Sequence, residues 1–389
     1  MRILIVHNRY IHPGGEESVV ESEAKMLAVH GVAVRRCEED NHGLIGQSLF
    51  QTAVDAFWSR RSVRRLEREI VSFKPDVVHV HNFFPRISPA VFWAARRLGV
   101  PTVMTLHNFR YACAQGMLLR NGRICELCLG RSGHWGVWHR CYRGSLLQTL
   151  VLVASFGLHK ALGTFNSKVC RYIALNEFCR DKFIVAGIPE EMLAVKPNFV
   201  DLPKMEQRPR NGGLFVGRLS PEKGLDTLLA ALELLPAFGF TVVGDGPMVD
   251  RILKVKRVEA LGWLSSDCVR QAMLGAAYLV VPSLWYETFG LVVVEAFACG
   301  LPVIASRHGA LAEIVEDGVT GLLFEPGNAD ALAEALSWAE THPNEMRAMG
   351  QNALGVYQSR YSPEVNFEIL INIYQEAINA CGRAGFRAS

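Results

Sequence analysis

The sequence predicts an α/β protein with parallel sheets, arranged as two successive βα series. Three observations carry this. Short apolar runs alternate with helical patterns along the whole chain. Those runs are continuous stretches of Val, Ile and Leu, as expected of strands covered on both faces, and not alternating ones. The series breaks at a polar segment and then restarts, and 389 residues suit two domains.

The elements follow in order. Residues 2–7 read as a buried first strand, followed by a loop carrying Pro13, Gly14 and Gly15. A helix is expected over 16–30, stopped by Gly31. Residues 76–81 and 102–107 read as further short strands. Composition shifts at 197–200 and in the polar segment 203–213, which places the linker there. The second series restarts with a strand at 213–217 and a helix at 225–235. Strands at 241–244, 278–281 and 302–305 continue it.

Hydrophobic residues make up 50% and charged residues 20%, which excludes a disordered chain. A chain of this length can build its core without disulfide staples. The apolar run after Met1 is too short for a secretory signal. Segment 146–158 falls short of a membrane-spanning helix, so a reducing cytoplasm is the expected setting. Residues 1–200 carry a net charge of +10 and residues 201–389 one of −7, so the first half is expected to face something acidic, or to be a solvated charged face.

The strongest motif runs from Val216 to Gly224. Arg218 and Lys223 lie where a strand gives way to a helix. Ser220 is read as the helix N-cap and Pro221 as its first residue. Amides and dipole at such a terminus favour an anion, and a guanidinium fork with an ammonium suits a diphosphate. The second motif places Glu287 and Glu295 eight residues apart around Thr288, Phe289, Gly290 and Leu291. A helix beginning near Thr288 would aim both carboxylates the same way and leave the 289–291 amides for polar oxygens. The third, weaker alone, is the turn Gly244-Asp245-Gly246-Pro247. The segment 261–264 after it is read as an edge for a planar base.

Together these pieces resemble the nucleotide-sugar-binding domain of the retaining glycosyltransferases of family 4. The shared pattern is Gly-Arg-x4-Lys-Gly from Gly217, the Gly-Asp-Gly-Pro turn, Glu-x7-Glu with Phe289-Gly290, Gly300-x-Pro302 and Gly318-x2-Gly321-x2-Phe324. The first half matches more loosely, through Pro13-Gly14-Gly15, His79-x-His81 and Leu106-His107-Asn108. The resemblance implies the GT-B fold, two Rossmann-like doubly wound domains facing a cleft. Residues 1–200 would form an acceptor-side domain with a Cys-rich insert at 113–141, and 201–362 a nucleotide-sugar domain. Residues 363–389 would form a helix crossing back to the first domain.

The resemblance also implies roles. Arg218 and Lys223 would hold the donor diphosphate and stabilise its leaving charge, with no catalytic metal. Glu287 would position the sugar hydroxyls, helped by the amides of Phe289, Gly290 and Leu291 beside Thr288. Glu295 would accept from the ribose. Gly15 would let the first-domain loop approach the diphosphate, Gly217, Gly244 and Gly246 would line the donor site, and His107 would reach the reacting sugar. The acceptor would be a glycan, a lipid-linked or a polysaccharide-precursor molecule.

Other readings stay open. A GT-B epimerase or phosphorylase and a non-catalytic sugar-nucleotide-binding protein are the alternatives. The first strand is not followed by Gly-x-Gly-x-x-Gly, against a dinucleotide oxidoreductase. Arg60, Arg61, Arg64, Arg65 and Arg68 lack interleaved aromatics, against nucleic acid. These arginines, with Arg140 and Arg143 before the 146–158 stretch, suit an anionic membrane surface, so a peripheral enzyme is expected; a plain core helix is the alternative. His79 and His81 share one strand face, as zinc ligands, acceptor contacts or core residues. Cys113, Cys125, Cys128 and Cys141 follow a Cys-x11-Cys-x2-Cys-x12-Cys spacing, read as a structural zinc site, with His134 and His139 as substitutes. Reduced thiols or disulfides are the alternatives.

Overall fold

The computed structural model describes residues 1–10, 14–41, 48–202, 208–236 and 239–383. The chain forms two compact units. The first comprises residues 1–117, 126–198 and the segment from Pro363; the second comprises Leu118–Cys125 and Phe199–Ser362.

The first unit is built on six parallel strands: β1 (Arg2–Arg9), β2 (Ala33–Asp40), β3 (Val77–Asn82), β4 (Thr102–Thr105) and, beyond the short hairpin strands β5 (Leu119–Arg120) and β6 (Arg123–Ile124), β7 (Arg171–Ala174) and β8 (Leu193–Val195). Their order is β2-β1-β3-β4-β7-β8. Ile3, Leu4, Ile5 and Val6 are fully buried, as are Val77, Val78 and Val80. That is why these runs read as continuously apolar. Helix Gly15–Val29 ends where expected, at a His30 cap followed by Gly31 in the left-handed region.

The second unit repeats the pattern with β9 (Gly213–Val216), β10 (Phe240–Val243), β11 (Val258–Gly262), β12 (Tyr278–Val281), β13 (Val303–Ser306) and β14 (Gly321–Phe324). All pair in parallel in the order β11-β10-β9-β12-β13-β14. Counted from β9 this is 3-2-1-4-5-6, the Rossmann order, whereas the first sheet begins 2-1-3-4. Leu225, Leu228, Ala231, Phe240, Val280 and Ile304 form its core.

Helix Pro363–Arg383 packs on β3, β4 and β7. Cys381 in that helix forms a disulfide with Cys170, just before β7. The 211-residue separation of this pair hides it from any spacing rule.

Segment 146–158 belongs to helix Leu146–Ala161. One face of it enters the core and the other is exposed. Leu152, Ser155, Phe156 and His159 are buried, with Ser155 Oγ donating to the Ala56 carbonyl at 2.7 Å. Leu146, Leu147, Leu150 and Leu158 are exposed. No helix among the described residues is long and apolar enough to cross a membrane. The arginine helix Arg60–Phe73 is not a uniform basic face, because Arg65 turns inward to the Glu38 carbonyl at 2.7 Å and the Glu39 carboxylate at 3.1 Å.

Candidate functional site

An open parallel sheet binds ligands beyond the C-terminal ends of its strands, where the order reverses. In the second sheet that point lies between β9 and β12. The loops leaving these two strands carry Gly217, Arg218 and Lys223 on one side and Ser283, Trp285 and Glu287 on the other.

Glu287 is buried, and three donors converge on its Oε1: Lys223 Nζ at 2.7 Å, Ser283 Oγ at 2.7 Å and Trp285 Nε1 at 2.9 Å. Oε2 is not engaged by these donors. Burial alone would raise this carboxyl; the Lys223 charge and the three hydrogen bonds outweigh it and hold the group below the usual carboxylate range. The Lys223 ammonium also lies 5.4 Å from the Trp285 ring centroid. A second tie joins the same two loops, from the Leu284 amide to the Glu222 carbonyl at 2.8 Å.

The local helix starts differ from expectation. Pro221–Lys223 is a single 3-10 turn, and the α-helix runs Leu225–Glu233 with Gly224 as its cap at φ +74°. Ser220 is not that helix's N-cap; its hydroxyl donates to Glu222 Oε1 at 2.6 Å. A Cβ at Gly224 would overlap the Pro282 carbonyl oxygen, so glycine is needed for the β9 and β12 loops to touch. Likewise the helix expected from Thr288 begins at Leu291, with Gly290 at φ +81° before it. Glu287 therefore sits in the entry loop and Glu295 one turn inside the helix. Phe289 is buried edge-on to Tyr361, with centroids 5.9 Å apart. Burial pushes the Glu295 carboxyl up to about 7. Gly244 and Gly246 have a packing reason: a Cβ at either would strike the backbone carbonyl of Gly217 or Leu219. Trp263, within the segment expected as an edge for a base, is 77% exposed.

Sequence reasoning missed Ser283, Trp285 and His308. His308 Nε2 lies 2.7 Å from the Ser283 carbonyl, so Nε2 carries the proton. Its Nδ1 is buried without a hydrogen-bond partner. The signal that could have found the first two was the polar pair Ser283 and Trp285 directly after an apolar strand.

In the first sheet the order reverses between β1 and β3. His7, His81, Asn82 and His107 gather at the ends of β1, β3 and β4, with Glu16 and Glu17 opening the next helix. His107 lies just past β4, which ends at Thr105 and not at 107. Its Nε2 is 2.9 Å from His81 Nδ1. Burial pulls the His107 imidazole down to about 3, against the opposing pull of Glu23, so the ring is neutral at pH 7. Glu16, which interacts with Tyr10, Asn82 and Arg110, is pushed up to about 8, by burial first and then by Glu17. Gly15 is the first residue of its helix, and Pro13 lies outside the described residues.

Behind this cluster sits a polar network that the sequence did not reveal. Glu23 Oε1 meets Lys196 Nζ at 2.7 Å, both side chains 1% exposed. His79 bonds the Tyr374 hydroxyl and Thr105 Oγ1, each at 2.8 Å. Glu23, His79 and His81 are, among the described residues, the only group of three or more His, Cys, Asp or Glu whose ligand atoms lie within 4.8 Å of one another. Glu23 Oε1 is held by an ammonium and both His79 nitrogens are engaged, while Glu23 Oε2 and His81 Nε2, 3.4 Å apart, are buried without a hydrogen-bond partner. Cys113, Cys125, Cys128 and Cys141 are each half-buried.

Residues 206–355 match the family model of glycosyl transferases group 1, and residues 13–204 that of glycosyltransferase family 4. An uncharacterised glycosyltransferase of Methanocaldococcus jannaschii is 40% identical over 285 residues, covering 71% of this chain and 69% of that protein. The alpha-D-kanosaminyltransferase of Streptomyces kanamyceticus is 25% identical over 333 residues, covering 82% and 81%. Among solved structures, the HepE protein of Anabaena in complex with UDP-glucose aligns with a TM-score of 0.66 at 20% identity, over 96% of this chain and 100% of that one. A glycosyltransferase from Rickettsia africae aligns at 0.70 and 16% identity, over 97% and 98%. The expected pair of Rossmann-like domains is thus the GT-B fold, and the chain belongs to the family 4 glycosyltransferases.

Proposed function

We propose that this protein is a retaining glycosyltransferase that moves a sugar from a nucleoside-diphosphate donor to a glycan, lipid-linked or polysaccharide-precursor acceptor, without a catalytic metal. The observation that carries this is the Lys223–Glu287 pair at the switch point of the second sheet. An ammonium held by one hydrogen bond to a carboxylate keeps two N–H donors for the diphosphate. With Arg218 it would stabilise the charge that grows on the leaving oxygen, which is the step a metal would otherwise assist.

Glu287 Oε2 is suited to accept from a donor sugar hydroxyl, beside the amides of Phe289, Gly290 and Leu291. Glu295, half-buried and held near neutrality, is suited to accept from ribose hydroxyls, whose donation favours its ionised form. The family resemblance adds Gly15 and His107 from the first unit. No carboxylate is well placed by sequence as a covalent nucleophile, so attack from the leaving-group face fits retention. Binding of UDP and UDP-glucose by the structural relative makes UDP-glucose the first donor to try. The test is a screen of UDP-, GDP- and ADP-sugars for binding and slow hydrolysis. Wild type should hydrolyse one of them, and Lys223→Ala and Glu287→Ala should each cut the rate by about 10²–10³ with the fold intact. Near-normal turnover in both variants would refute the site assignment.

A further inference from the structure

An apolar cavity in the first unit lies apart from the donor-site residues and touches the cysteine-rich segment at Cys113 and His134. It has a volume of about 740 Å³, within the usual range of ligand sites. One wall is a single stripe of helix Leu146–Ala161: Leu146, Leu150, Val153, Gly157 and Lys160 recur at intervals of four, three, four and three. The facing wall is the short helix His134–Trp138, which presents Trp135 and Trp138. Trp138 is 78% exposed and Leu150 48%, so the mouth is open and greasy.

The rim is positive. Arg110, Arg131 and Lys160 line the cavity and no Asp or Glu does. The bias extends along the chain. Residues 77–176 contain 12 Lys and Arg and one acidic residue, Glu126, which is paired with Lys182 at 2.6 Å. Arg110, Tyr111 and Phe156 also line the smaller pocket that holds His107, so the two spaces share a wall. The Arg110 Nε is buried there without a hydrogen-bond partner. Burial pushes the carboxyl of Glu16, whose charge would compete for Arg110, up to about 8.

We infer that this cavity takes the hydrocarbon chain of a single anionic lipid, the tail along the helix stripe and its phosphate at Arg110, so that a lipid-phosphate-linked acceptor is delivered beside His107. The term acceptor rests on the glycosyltransferase reading; the lipid site does not. A glycan acceptor would need polar walls, whereas these offer apolar surface with cations at one end. A site for one chain also differs from a flat docking face, because its occupant is a monomer.

Gly157 supplies the test. A Cβ there would meet nothing within 4 Å, and the position lies in a helix interior and lines the cavity, so the backbone accepts a side chain and a large one should occupy cavity space. Calorimetric titration with dodecyl phosphate below its micelle threshold should show one site. Its affinity should exceed that of dodecyl maltoside or inorganic phosphate by about tenfold or more. Gly157→Trp should weaken binding at least about tenfold, while Gly157→Ala retains it and both variants keep donor hydrolysis. Equal binding by Gly157→Trp, absence of a saturable site, or binding to anionic vesicles without uptake of monomeric dodecyl phosphate would each overturn the proposal. Dodecyl phosphate binding without hydrolysis of any sugar nucleotide would support the lipid site and sink the donor reading instead.

Discussion

Lys223 and Glu287 are 64 residues apart in sequence, and their side chains meet at 2.7 Å because β9 and β12 are neighbours in the sheet. The pair is asymmetric: Glu287 is buried, while Lys223 is a quarter exposed. Each partner therefore answers differently to removal. Lys223→Ala leaves a buried carboxylate with two neutral donors, whereas Glu287→Ala leaves a cation that can turn to water. The stability loss should be larger for Lys223→Ala. The losses in transfer rate should be strongly non-additive in the double variant. Denaturant midpoints and turnover for the four proteins of this cycle check it, and simple additivity would mean the residues act separately.

Gly224→Ala tests the contact between the two loops. Both the left-handed backbone and the overlap with the Pro282 carbonyl oppose a Cβ, so the expected loss is about 1–3 kcal/mol. Donor affinity should fall with it, because the same displacement moves Lys223. An alanine variant that melts and binds like wild type would show that the loop can relax.

Glu295 sets a pH dependence. Burial raises its carboxyl to about 7, above the unfolded value of 4.5. The folded form then holds the proton more tightly, so this contribution to stability is present at acid pH and is lost as pH rises through about 7. Donor binding has the opposite sign, since ribose hydroxyls favour the ionised carboxylate. Donor affinity should rise between pH 6 and 8 in wild type, and that rise should flatten in Glu295→Gln. Titration of donor binding across this range decides the matter.

The Glu23–Lys196 pair predicts a large structural effect away from the donor. Glu23→Gln leaves a buried ammonium without its counter-charge, and about 3–5 kcal/mol of stability should be lost. Pairing Glu23→Gln with Lys196→Met should recover much of it. A double variant no more stable than Glu23→Gln would show the charges to be independent.

The four-cysteine segment makes a metal prediction on its spacing. Protein purified without chelator should carry one zinc per chain, lost in Cys125→Ser along with order in that segment. Metal-free protein with four titratable thiols in 113–141 would end the zinc reading.

The sequence by itself determined the two βα series, the strands at 213–216 and 278–281 to within a residue, and the motif residues Arg218, Lys223, Glu287 and Glu295. Those features are local: a doubly covered strand must be apolar throughout, and a loop that crosses another backbone closely must be glycine, as at Gly224 and Gly244. Where the helices begin was not determined. Ser220 and Thr288 look like starts, but contacts with Pro282 and the left-handed glycines at 224 and 290 move both starts downstream. Only the tertiary structure decided that Lys223 pairs with Glu287, that Glu23 reaches Lys196, and that Cys170 joins Cys381. The same holds for one stripe of the 146–161 helix lining a cavity while the other enters the core. In each case the partners come from distant segments, and which of them meet is fixed by strand order, a property of the sheet and not of any stretch of chain.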